Sequence, residues 1–191
     1  MEGAGDNTLA TEGLTIHSAD LPYLLVQNCV FRHGKGIEVD GQLDNAVFSQ
    51  NEVYDIFRDG IRVYTGSVSD VEITCNYVHD CLGNAGIQFS KSAFGTTARI
   101  ENNVIHGLQG LFGHGVTAAA FPNHYTTQQT SGLIEIRNNI VFDYKSGIRA
   151  GSNPGDTTNF LIEHNLVFDC ETGMEISVPA LYGTSRNNGL L

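Results

Sequence analysis

Glu38-Val39-Asp40 and Arg62-Val63-Tyr64 set two carboxylates, a cation and a phenol at alternate positions of two short extended segments. Alternate positions on a strand share a face, so each pair points the same way. Removing a proton α to a carboxylate needs a cation to neutralise the carboxylate and a base to accept the proton. Arg62 fits the first role, and Tyr64 fits the second if the neighbouring cation lowers the phenol's pKa. His79, His114 and Lys145 are further candidates. Glycoside hydrolysis instead needs two carboxyl groups about 5 to 9.5 Å apart, which Glu38 and Asp40 are placed to supply. The plainer alternative is a solvated Glu38–Arg62 ion pair worth under about 1 kcal/mol.

The elements that position these residues follow from a repeat. Six times an Asn is followed 8 to 12 residues later by Gly and an aliphatic residue: Asn28/Gly36-Ile37, Asn51/Gly60-Ile61, Asn76/Gly86-Ile87, Asn103/Gly115-Val116, Asn139/Gly147-Ile148 and Asn165/Gly173-Met174. Such self-similarity marks stacked units that bury apolar surface against their neighbours. Most of the segments before the Asn alternate apolar and polar, which predicts an inward column of Leu25, Phe48, Ile73, Ile100, Ile136 and Ile162. A second short strand follows the Asn, and the Gly-aliphatic pair opens a third. Successive Asn residues lie 23, 25, 27, 36 and 26 apart, too short for a strand, helix and strand at each step. The expectation is an all-β, single-stranded parallel β-helix of about six coils, with an Asn ladder and Gly at sharp turns of positive φ.

This pattern, over about Leu14 to Val178, resembles the right-handed parallel β-helix superfamily of pectate lyases, polygalacturonases, alginate lyases, mannuronan epimerases and phage tailspikes. The resemblance implies an acidic polysaccharide along the outer face of the strand after the Gly. That face carries two columns: Glu38, Arg62, Gln88, Thr117, Arg149 and Glu175, then Asp40, Tyr64, Ser90, Ala119, Gly151 and Ser177. On this basis Arg62, Tyr64 and His114 are the catalytic candidates. Glu38, Asp40, Gln88, His124, Tyr125, Lys145 and Arg149 are the candidates for holding substrate. Gly113-His114-Gly115 matches a polygalacturonase tripeptide, but the aspartates that accompany it there fall at Asn84 and Ala85, and the Asp-Pro-His of mannuronan epimerases is absent. Uronan lyase or C5-epimerase chemistry therefore stands ahead of hydrolysis, beside a non-catalytic reading as an adhesin, tailspike shaft or carbohydrate-binding segment.

The widest interval, Ala118 to Gly132, contains Pro122, His124, Tyr125 and Gln128 and reads as a wall beside that face or as a surface insertion. Asp55, Asp80, Asp143 and Asp169, each four residues past an Asn, either hold Ca²⁺ or bond their own turns. Cys29, Cys75, Cys81 and Cys170 lack zinc-like spacing and read as core thiols. A net charge of −11 argues against general nucleic-acid binding, and no apolar run approaches the length of a membrane span. Met1 to Ala10 lacks the form of a signal peptide, whereas the resemblance implies a secreted protein. The chain reads as one domain over 1–191, its ends covered by further coils of a longer protein or by association.

Overall fold

The computed structural model describes residues 13–65, 70–91, 97–107, 113–120, 130–152, 157–177, 183–186 and 188–190. They form a parallel β-helix of three seven-stranded sheets. The first sheet is made by Gly13–Leu21, Gly36–Leu43, Ile61–Thr65, Ala85–Lys91, His114–Ala120, Ser146–Ser152 and Thr172–Ser177. The second holds the segments that precede the Asn, such as Asn45–Ser49 and Thr97–Glu101. The third holds three-residue strands that follow it, such as Glu52–Tyr54 and Ile140–Phe142. Every pairing is parallel and joins one rung to the next. Each sheet therefore has one strand more than the six repeats counted on Asn and Gly.

The core is a filled tube. Phe48, Ile73, Ile100, Ile136 and Ile162 stack in one buried column, as their alternation predicts. Leu25 does not join it. Val26 pairs with Phe48 and is buried, while Leu25 is 49% exposed. The first repeat is thus slipped by one residue: Asn28 adopts a left-handed φ of 56° at a corner, and Cys29 takes the ladder position, its N–H donating to Asn51 Oδ1.

From Asn51 onward the ladder runs through Asn76, Asn103, Asn139 and Asn165, each side chain donating to the Oδ1 of the next at 3.0 Å. Each also donates to a backbone carbonyl of the preceding rung, as Asn103 does to Ile73 at 2.8 Å. Asn188 continues the ladder, accepting from Asn165. No Gly-aliphatic pair follows Asn188, so the repeat pattern misses it.

The corners are set by residues other than those expected. Left-handed φ occurs at Asn28, Gln50, Cys75, Asn102, Asn138 and His164 before the ladder position, and at His33, Asp55, Asp80, Asp143 and Asp169 after the third-sheet strand. Most of these are Asn, Asp or His, which tolerate this region best. Of the repeat glycines, Gly36 has a φ of +75°. Gly60, Gly86, Gly115 and Gly147 are needed instead for close packing: a Cβ on Gly147 would lie 2.2 Å from Val167 Cγ1, and one on Gly115 2.1 Å from Val141 Cγ1. The third sheet presses directly against the glycine column.

Candidate functional site

Both outward columns of the first sheet form in the expected register. Glu38, Arg62, Gln88, Thr117, Arg149 and Glu175 are successive partners, as are Asp40, Tyr64, Ser90, Ala119, Gly151 and Ser177. Glu38 and Arg62 meet at 3.3 Å, and Arg58 approaches the same carboxylate at 3.6 Å. The Arg62 guanidinium lies over the Tyr64 ring, 4.7 Å from its centroid, an attractive cation–π geometry. Gln88 stands one rung on. Asp40 is exposed in the neighbouring column.

Two hollows lie along the corner where the third sheet turns into the first. One, of about 520 Å³, is lined by Phe57, Arg58, Asp59, Arg62, Leu82, Gly83 and Asn84. Asp59 is its buried acid. It accepts from the Ala85 N–H at 2.8 Å and lies 4.0 Å from Arg62 Nε. Burial pushes its carboxyl above the ordinary range, against the pull of that hydrogen bond and of Arg62.

The second hollow, of about 330 Å³, is lined by Asn84, Gly113, His114, Lys145, Ser146, Arg149, Thr172 and Glu175. His114 and Ser146 are register partners on adjacent strands. Among the described residues His114 Nδ1 and Ser146 Oγ, like Arg62 Nε in the first hollow, are buried with no hydrogen-bond partner, an arrangement that costs about 1–3 kcal/mol per group. Arg149 reaches His114 Nε2 at 3.4 Å and Glu175 at 3.5 Å. Burial, reinforced by Arg149, lowers the imidazole's pKa and favours its neutral form.

The structure thus distributes the candidates rather than gathering them. His114, Lys145 and Arg149 share one hollow, Arg62 lines the other beside Glu38, and Tyr64 lines neither. His124 and Tyr125 lie outside the described residues. His79 belongs to the third sheet, where it stacks on Tyr54 and Tyr77 and contacts Asp80 at 2.8 Å. The aspartates of the Ca²⁺ expectation sit at left-handed corners, with Asp55 facing His33, Asp80 facing His79 and Asp143 facing His106. Gly107 occupies the equivalent corner between Asp80 and Asp143, which interrupts the carboxylate column. Among the described residues, no group of three or more His, Cys, Asp or Glu side chains is arranged to hold a metal ion.

Sequence reasoning missed Asp59, Ser146, Phe57 and Leu82. Asp59 carries one readable signal, an acid immediately before a repeat Gly, and Ser146 stands at the same place one residue before Gly147. No curated protein and no solved structure matches this chain. The family described as "Right handed beta helix region" matches residues 5–130, about two thirds of the sequence. With its parallel rungs, three sheets and Asn ladder, the chain belongs to the right-handed β-helix family.

Proposed function

We propose that this β-helix binds an acidic glycan along the corner between its third and first sheets, and that the hollow around His114 removes the proton α to a uronate carboxylate, as a uronan lyase or C5-epimerase does. The observation that carries this reading is the gathering of His114, Ser146, Lys145 and Arg149 around one hollow at the edge of the first sheet. A concavity lined by an imidazole, a hydroxyl-bearing residue and two cations suits a ligand that carries hydroxyls and a negative charge.

The geometry suggests an order of events. Arg149 donates toward His114 Nε2, so the resting neutral imidazole carries its proton on Nδ1. Arg149 is 46% exposed and its partner Glu175 43% exposed, a weak surface pair that a substrate carboxylate can displace. Once Arg149 turns to the carboxylate, Nε2 is free to accept the C5 proton, while Lys145 adds positive charge where the enolate forms. The C–H electron pair then becomes the C4=C5 double bond as the C4–O bond breaks and the leaving oxygen takes a proton from water. In epimerisation, water instead returns a proton to the opposite face. Such a glycan belongs outside the cell, in keeping with a secreted protein.

A second reading, a non-catalytic carbohydrate-binding scaffold, draws on the mutual neutralisation of Arg58, Arg62, Glu38 and Asp59 and on the position of Tyr64 away from both hollows. A panel of uronans and neutral glycans separates the two. Absorbance from unsaturated uronate, or solvent deuterium at C5, supports the catalytic reading. Binding without either supports the scaffold, and no binding to any glycan rejects both.

A further inference from the structure

The two hollows differ in what they leave available to a ligand. In the one beside Arg62, both guanidinium groups already face carboxylates that are themselves well buried, the Glu38 and Asp59 side chains being 13% and 8% exposed. An incoming carboxylate would have to displace one of them and strand a buried charge, which is costly. What this hollow does offer is apolar surface: Phe57 is 38% and Leu82 56% exposed. In the hollow around His114 the order is reversed, since Arg149 meets the half-exposed Glu175 at 3.5 Å and the His114 imidazole at 3.4 Å and can leave both without stranding a buried charge.

The hollows share Asn84, and Arg62 stands three register steps from Arg149 along the first sheet, about 14 Å at the usual strand spacing. One extended oligosaccharide therefore spans both.

We propose that the groove selects a mixed glycan, with a uronate carboxylate held at Arg149 in the hollow around His114 and a neutral sugar, two to three rungs or about 10 to 14 Å along the same chain, laying its C–H face on Phe57 and Leu82. This selectivity rests on the acidic-glycan reading above. It departs from that reading in requiring an uncharged unit at a fixed distance from the acidic one.

The test is calorimetric titration of the full chain with octasaccharides of three kinds: all uronate, all neutral, and mixed ones carrying a single uronate at each position in turn. The best mixed ligand is expected to bind at least about tenfold more tightly than the all-uronate one. Phe57→Ala and Leu82→Ser, both exposed positions, should each reduce that advantage severalfold by weakening the mixed ligand more than the all-uronate one, while Arg149→Ala weakens both ligands. Equal or tighter binding of the all-uronate octasaccharide, or indifference of the mixed ligand to both apolar variants, overturns the selectivity. If all-uronate binding is still lost in Arg149→Ala, the acidic-glycan reading survives alone. If no uronate-bearing octasaccharide binds, both fall together.

Discussion

The His114 imidazole and the buried amides of the ladder are two side chains whose surroundings set how they respond to pH and to substitution. Because His114 is held below the ordinary imidazole pKa near 6.5, the unfolded chain binds more protons than the folded one as pH falls through that value, so the protein loses stability on acidification. His114→Gln should flatten the stability profile as pH falls below about 6.5 in urea titrations. Turnover of a uronan should show an acidic limb set by the same lowered pKa, and His114→Gln should abolish turnover while leaving affinity within a few fold. At the ladder, Asn103 is fully buried and bonds Asn76, Ile73 and Asn139. Asn103→Leu takes a hydrogen bond from each of the three, leaves the Asn76 N–H without its acceptor, and is expected to cost about 1–3 kcal/mol in denaturant unfolding.

At the scale of the element, the glycine column and the third sheet form one packed layer, and this gives a test by compensation. A Cβ on Gly147 meets Val167 Cγ1 at 2.2 Å, so Gly147→Ala should destabilise by about 1–3 kcal/mol, and Val167→Ala in the same chain should recover part of the loss. If the double variant is no more stable than a sum of the two single effects, the collision is not the cause. Much of this layer was legible in the sequence, since period-two alternation and the recurring Gly fix which residues share a column, and both outward columns formed in the expected register. The first repeat was misread because Asn28 precedes Cys29, and a left-handed corner and a ladder rung both favour Asn. The hollows were less legible. They arise at corners, where Phe57 and Asp59 meet Leu82 in one hollow and His114 meets Ser146 in the other, across rungs tens of residues apart in sequence, and no local periodicity announces such meetings.

For the whole molecule, charge and connectivity set the behaviour. A chain of net charge −11 repels a polyanion at long range, whatever attraction Arg149 and Lys145 would offer a carboxylate at short range in the proposed complex. Raising ionic strength from about 0.01 to 0.15 M shrinks the screening length from about 30 to 8 Å, so association with a uronan should quicken, the reverse of what a basic binding protein shows. A stopped-flow series in salt checks this, and slowing across that range would contradict it. The ladder of single asparagines also gives the protein a mechanical grain. Its rungs are joined by hydrogen bonds that run along the axis, so tension between the two ends loads them one after another and peels the solenoid like thread from a bobbin. Successive ladder residues from Asn51 to Asn188 are 25, 27, 36, 26 and 23 apart, so at about 3.5 Å per residue most steps release about 80 to 95 Å and the longest about 125 Å. A force–extension trace of this chain would carry a repeated spacing broken once by a longer interval, the mark of the coil between Asn103 and Asn139.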